Sequence, residues 1–506
     1  MPFPVSLPLP NLDPSSVLFT PSTPFGPFTH IRQYVLANSK PIDSNNWYRL
    51  FILSTAPLYV QALLLRYRGT RLYRSAVAVL GIYLLWDAGL HLRFEQPWLN
   101  ALNNGIGIGL MHLTVRYIEF GLIEGPVFDR YFEAKGRHPL ISAFDVCVNA
   151  RWIGLGALDL DHQGRVDAGH PLHGNAKLNS DSLPNGKATS NGIGDASSAS
   201  PIEDVDVPDG GFEIDGRTIP DARHREKWLP WPKVRRTRFQ AVRRHAFIAL
   251  RNYVLFDTFL SLVRDFGADT IGSTSPVPNA FYRFSHENRF VLFPRLNLGK
   301  GLMVAPWWLT EIFAEVGVAS GVWLGIAAGY HFLGAILVGS GLWEVESWEV
   351  DLFDNPLAAD SLLEFWGRRW HQFFRHHFIL VSTLFLRLVH LPINSSLILS
   401  VSFVLSGAMH ALGQFTLDPT PPLFPIFVLF PLSGLGCALE VQFKRLTGRK
   451  VRGVWGRVWV WAFMLASGRL GAVAWLESGV GGSYLTPPFA GEYVKDWLKE
   501  WVVNKA

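Results

Sequence analysis

DSLLEFWGRRWHQFFRHHF occupies residues 360–378 and SFVLSGAMHALG residues 402–413. Between them lies about one membrane thickness of apolar sequence. Two histidines, His371 and His410, stand 410 − 371 = 39 positions apart. The first falls in a basic, aromatic-rich stretch, and the second inside an apolar one. The rest of the chain is organised around this pair.

Ser361 and Glu364 form an S-x-x-E capping box, so a helix is expected to begin there. Helical spacing then puts Leu363, Trp366, Trp370 and Phe374 on one aromatic face. Glu364, Gly367, Arg368, His371 and Arg375 fall on or near another. Trp and Arg at this density suit the membrane–water boundary, and an amphipathic anchor with a wet polar face has the same pattern. In the second stretch, Ser402, Ser406 and His410 recur every fourth residue, with Gly407 and Gly413 nearby. Small residues at this spacing let a neighbouring helix approach closely. An imidazole at this depth faces a protein interior or a wet cavity, and a packing histidine bonded to the next helix would satisfy the same rule.

FWGRRWHQ (365–372) followed by SGAMHALG (406–413) resembles the wax-synthase-like branch of the membrane-bound O-acyltransferase superfamily. NARWIGLG (149–156) is similar to that branch's R-G-I-G-type motif, with Trp152 where the family usually has Gly. The likeness covers roughly 140–160 and 340–480. It implies an all-α polytopic bundle of about 8–9 transmembrane helices with interfacial helices. It also implies acyl transfer from acyl-CoA, as co-substrate rather than bound cofactor, to an alcohol. His410 matches the family's S-G-x-x-H histidine, to which the general-base role belongs. His371 stands where neighbouring branches carry Asn, which implies an orienting or electrophilic role.

The residue chemistry fits those roles. Acylating a hydroxyl requires removal of its proton as oxygen attacks, and stabilisation of the oxyanion that follows. A desolvated imidazole stays neutral and can accept that proton. Arg368, Arg369 and Arg375 are candidates for the phosphates of coenzyme A, and equally for markers of the cytosolic membrane edge. Trp366, Trp370, Ser406 and Arg151 are expected around the substrate chamber. His376, His377 and His390 are read as structural or interfacial. No nucleophile motif of the G-x-S-x-G kind occurs, so direct transfer without a covalent intermediate is the simpler expectation.

Composition agrees with a membrane protein: 506 residues, 49% hydrophobic and only 17% charged, with repeated apolar runs of spanning length. A formal charge of +5 makes no case for nucleic acid. Cys147 and Cys437, the only two cysteines, give neither a disulfide framework nor a thiolate metal site. Residues 1–45, rich in Pro, Ser and Thr, read as an irregular arm without a cleavable signal. Membrane helices and the Arg151 motif occupy 46–160, with spans about 47–65, 75–92 and 98–115. Arg66, Arg68, Arg71 and Arg74 place the first loop in the cytosol. Residues 161–225, polar and Gly-rich, read as a disordered cytosolic insertion, and His162, His170 and His173 there lack clustered carboxylate or thiolate partners at metal-ligand spacing.

Central helices are expected in 226–340, spanning about 245–263 and 317–338, with a short apolar dip near 301–313. The basic run KWLPWPKVRRTRFQAVRR (227–244) reads as a positive-inside flank or a contact for head groups or a phosphorylated cofactor. Residues 341–480 hold the wax-synthase-like region, with apolar stretches near 378–391, 397–412, 422–441 and 454–475. Residues 481–506 are left as a tail. Strict alternation strands the basic run KRLTGRKVR (444–452) on the wrong face. One short stretch, such as the one holding His390, must therefore re-enter or lie in the interface.

A proton-coupled transporter is the rival reading, since Gly-rich helices with intramembrane His can relay protons. Against it, no inverted repeat is visible and no intramembrane carboxylate is placed to pair with His410. A catalytically silent membrane scaffold is a third possibility. Among acyl acceptors, a long-chain alcohol is one expectation. The other, favoured by DNPLAADSLLEFWGRRWHQ (354–372), is a terpenoid or meroterpenoid acetylated from acetyl-CoA in secondary-metabolite biosynthesis. That pattern resembles fungal natural-product O-acetyltransferases, and the expected setting is a multi-pass protein of the endoplasmic reticulum, in contact with the lipid bilayer.

Overall fold

In a computed structural model, the residues described are 35, 37–123, 126–129, 132, 136–149, 155–157, 211–214, 217–220, 236–287, 290–292, 303–418, 420–501 and 503–505. Helices dominate, and the strands among the described residues are two to four residues long. Arg151 and most of the 161–225 tract lie outside these residues. Within that tract, Gly211–Ile214 and Arg217–Pro220 pair as an antiparallel hairpin.

Four helices form an N-terminal unit: α1 (Ala56–Leu64), α2 (Arg71–His91), α3 (Asn100–Leu122) and α4 (Pro139–Val148). Leu58, Leu85, Leu110, Tyr117 and Phe120 make its core. Arg74, one of the arginines expected in the first loop, lies in the first turn of α2. It is buried, and its guanidinium donates to the Phe120 carbonyl and, at 2.7 Å, to that of Ile123. Those carbonyls close the end of α3, where a helix has no further N–H to offer them.

The basic run before α5 (Arg238–Arg264) is likewise more than a flank. Thr237 and Gln240 cap the helix reciprocally, so it begins seven residues before the expected span. Arg238 donates to the carbonyls of Val338 and Trp343, both at 2.7 Å. Arg244 reaches Asp351 at 2.5 Å, and Arg236 pairs with Glu349. The basic and acidic stretches thus neutralise one another across two elements. The expected dip at 301–313 and span at 317–338 merge into one 33-residue helix, α6 (Trp307–Gly339). At 1.5 Å per residue it is about 50 Å long, well beyond a hydrocarbon core of about 30 Å.

The C-terminal half holds α7 (Arg375–Leu388), α8 (Ser395–Phe415), α9 (Phe424–Thr447), α10 (Gly453–Leu476) and α11 (Ala490–Trp501). Among the described residues, α5, α6, α8, α9 and α10 are long and apolar enough to cross a membrane, and α2 and α3 reach the length but not the apolarity. This is an all-α polytopic membrane protein. The 14 residues of α7 measure about 21 Å, short of a bilayer core. By length, then, α7 falls short of a span, and it is the stretch offered above as one that re-enters or lies in the interface. It ends near His390, whose φ of 56° is left-handed. The tail carries α11, which docks on α5 where the Asp257 carboxylate accepts the N–H groups of Phe489 and Gly491.

Candidate active site

The expected single helix over 360–378 is not what forms. Ser361 does cap a helical turn, its Oγ accepting the Glu364 N–H at 3.1 Å. The Glu364 carboxylate returns to the N–H of Asp360 rather than to that of Ser361. After Leu362–Glu364 the backbone widens into a π-turn over Phe365–Arg369, then becomes extended at Trp370. His371 therefore sits in a non-helical link before α7. Trp370 folds back so that its indole stacks on Phe365, with centroids 5.4 Å apart. The Leu362 and Leu363 N–H groups donate to Glu440 of α9 at 2.6 and 3.0 Å, pinning the turn to that helix.

His410 stands where its periodicity puts it, on α8, with Ser406 one turn before. Gly407 shows why a small residue is needed there: an added Cβ would lie 2.6 Å from the Phe427 carbonyl of α9. Gly413 faces Asn104 and Ile108 of α3 in the same way. A bond of 2.9 Å between the Ser382 and Ser402 hydroxyls joins α7 to α8. The His410 ring stacks on Phe430 of α9, centroids 4.1 Å apart and planes 24° off parallel. Its Nδ1 lies 2.8 Å from the Ser406 carbonyl. A carbonyl can only accept, so Nδ1 carries the proton and the neutral ring keeps its free lone pair on Nε2.

Both histidines line one cavity of about 1500 Å³. Its walls include Trp366, Trp370, Ser402, Ser406, Arg375 and Phe430. His371 is held edge-on by Phe353 and Phe374, and its Nδ1 is buried with no hydrogen-bond partner. Burial chiefly, and the neighbouring His410 secondly, hold its imidazole far below the ordinary range, at about 3. It is therefore neutral at physiological pH and has one N–H to give.

The three candidate arginines part company. Arg375 lines the cavity. Arg368 and Arg369 are not among its lining residues. Arg368 is exposed and paired with Asp354 at 2.9 Å. Arg369 is paired with Glu364 at 2.7 Å and also donates to the Asp354 and Asn355 carbonyls. Next to the link, His376 bonds the buried Glu119 of α3, which also holds Arg116 at 2.8 Å. Sequence reasoning missed Phe430 and Glu440. Nothing local marks either of them, since each works on a residue of another element.

Residues 348–435 match the family described as Membrane bound O-acyl transferase family. Curated relatives overlap the chain partially. A protein named probable long-chain-alcohol O-fatty-acyltransferase 1, from Arabidopsis thaliana, is 33% identical over 106 residues, 19% of this chain and 29% of that protein. The acetyltransferase atnC of an Arthrinium species is 34% identical over 146 residues, 26% of this chain and 33% of that protein. The long-chain-alcohol O-fatty-acyltransferase of Simmondsia chinensis is 31% identical over 112 residues, 20% and 30% of the two chains. The chain thus spans about a third of the length of the curated relatives it matches. No solved structure matches it. The stretch that carries His371 and His410 lies within the match to the membrane bound O-acyl transferase family, and the chain is similar over part of its length to plant long-chain-alcohol O-fatty-acyltransferases and to a fungal acetyltransferase.

Proposed function

We propose that the protein transfers an acyl group from acyl-CoA to the hydroxyl of a lipophilic acceptor inside the membrane. The observation that carries this reading is the 2.8 Å contact of His410 Nδ1 with the Ser406 carbonyl, which assigns the tautomer. Its Nδ1 proton is committed to the Ser406 carbonyl, and a lone pair remains on Nε2 in the cavity shared with His371.

Nε2 takes the acceptor's hydroxyl proton as its oxygen bonds to the thioester carbonyl carbon. The carbonyl pair moves onto oxygen, and the single N–H of neutral His371 is suited to hold that oxyanion or to orient the acceptor. The oxyanion then collapses, the carbon–sulfur bond breaks, and the imidazolium returns its proton to the leaving thiolate. No enzyme-bound acyl group is needed. Ser406, Trp366 and Trp370 wall the chamber around these groups. Arg375, at the first turn of α7, lines the same chamber.

For the acceptor, the reading extends to a polycyclic secondary metabolite of terpenoid type, acetylated from acetyl-CoA in the endoplasmic reticulum. The resemblance of 354–372 to natural-product acetyltransferases and the similarity to a fungal acetyltransferase support it. A fatty acyl group on a long-chain alcohol is the second reading, favoured by the plant relatives and by a cavity large enough for an alkyl chain. Purified protein in lipid nanodiscs, given acetyl-CoA and palmitoyl-CoA in competition with hydroxylated terpenoids and fatty alcohols, separates them. Acetyl esters of the terpenoids are expected. Fatty esters alone would select the second reading, and no ester from any pair would remove both.

A further inference from the structure

The basic run 444–452 that conflicted with alternating topology lies at one end of the reaction cavity. Lys444, Arg445 and Lys450 line that cavity together with Asn394, Ser395 and Ser396. The helices that carry them are antiparallel: Gly407 of α8 meets Phe427 and Pro431 of α9, whereas Phe403 meets Gly434. The N-terminus of α8 and the C-terminus of α9 therefore share one end, remote from His410.

The separation suits a particular ligand. Lys444 is 444 − 430 = 14 residues along α9 from Phe430, the ring on which His410 stacks, or about 21 Å at 1.5 Å per residue. In coenzyme A, about thirteen bonds join the sulfur to the first phosphorus. At the 3.3–3.6 Å that an extended chain covers in three bonds, they span about 15 Å. The pyrophosphate and 3′-phosphate lie beyond that point, within reach of a lysine side chain from α9. A thioester carbon at His410 thus brings its phosphates to this end and to no closer cation of α9.

Charge agrees with length. Among the described residues, the Lys444 and Arg445 side chains have no hydrogen-bond or ion-pair partner. Arg368 and Arg369 are already engaged by Asp354 and Glu364. The carboxylate facing this end, Glu440, has its oxygens occupied by the Leu362 and Leu363 N–H groups and the Trp459 indole. It is therefore a weaker competitor for the cations than its charge alone would make it.

We infer that the Lys444–Arg445 end of the cavity, with Lys450, is the phosphate-binding site for the acyl donor, an inference that rests on the acyltransferase reading. Guanidinium and ammonium groups bind phosphate oxygens strongly, and a basic end of this kind belongs in the cytosol, where acyl-CoA is dissolved. Anionic lipid head groups offer the same phosphate chemistry, so the test must separate the two sources.

The test uses the full chain in nanodiscs of phosphatidylcholine alone and in others containing anionic lipid. Direct binding of free coenzyme A, dephospho-coenzyme A and adenosine 3′,5′-bisphosphate is measured alongside the KM for acetyl-CoA and for S-acetyl-N-acetylcysteamine. Lys444→Ala/Arg445→Ala is expected to weaken coenzyme A binding and raise the acetyl-CoA KM at least tenfold in both lipids. The effect on the truncated donor, which lacks phosphates, should be several times smaller. Arg449→Ala, exposed and outside the cavity lining, should change neither. An unaltered KM in the double variant, no coenzyme A binding by the parent protein, or an effect confined to anionic lipid would each overturn the proposal. Coenzyme A binding that these cations control, without ester formation on any acceptor, would keep the site and sink the acyltransferase reading.

Discussion

His410 and His371 reach the same cavity by opposite routes. His410 rides on a regular helix, where Ser402, Ser406 and Gly407 recur at the spacing that turns a face towards α7 and α9. His371 sits where regular structure stops, in a link between a π-turn and α7, and contacts from elsewhere fix it. A helix orients a side chain through its backbone period. A link needs every contact to be supplied, and here Glu440, Phe353 and Arg369 supply them. A general base has to meet a proton at hydrogen-bond distance, and the residue proposed for that role, His410, occupies the regular element. His371, proposed to orient substrate, occupies the link that remote contacts hold.

That contrast is broken most severely at the base. His410→Ala should lower turnover by about 10²–10⁴-fold, the usual contribution of a positioned base, with the melting temperature little changed. His371→Ala should cost less turnover and raise the acceptor KM if, as proposed, it orients the substrate. Steady-state kinetics with varied acceptor measure both. Near-normal turnover in His410→Ala would remove the base assignment, and equal losses in kcat alone for both variants would erase the distinction between base and orienter.

The next effect tests the rigidity of α8. Gly407→Val would drive a branched side chain at the Phe427 carbonyl, and overpacking of this kind costs about 1–3 kcal/mol. A lower melting temperature in detergent is the expected readout. Gly105→Ala, in α3 with open space around the added Cβ, is the control and should leave it unchanged or raised. If Gly407→Val melted like the parent, the close approach of α8 and α9 would be wrong.

The two regions were also unequally legible. The face of α8 could be read because a 3.6-residue period over an apolar helix is a local property, and the Ser361 cap because its partner is three residues away. The break at Trp370 could not be read. No proline stands there, Gly367 precedes it by three residues, and the amphipathic pattern of 360–378 fits an unbroken helix. The contacts that go with the break are the stacking of Trp370 back on Phe365 and, from a remote element, Glu440, which takes the N–H groups that start the turn. The pairing of 236–244 with 344–351 was hidden for the same reason, since each run has an adequate explanation as a membrane flank when seen alone. Phe430 behind His410 carries no local mark at all.

The smallest expected effect separates two adjacent arginines that the sequence treats alike. Arg368 and Asp354 form an exposed pair with about half of each side chain accessible, and such pairs contribute about 0–1 kcal/mol. Arg368→Ala should therefore leave the acetyl-CoA KM unchanged and the melting temperature within a degree or two. Arg369 is mostly covered, and its guanidinium spans Glu364 and the carbonyls of Asp354 and Asn355. Arg369→Ala leaves those acceptors short of a donor at the base of the link that carries His371. Its effect should appear in the acceptor KM, as for His371→Ala, and not in the KM for acetyl-CoA. A raised acetyl-CoA KM in Arg368→Ala would instead return this residue to the donor's phosphates. The link would then bind the acyl donor as well as orient the acceptor, and the proposed division of labour between it and α8 would not hold.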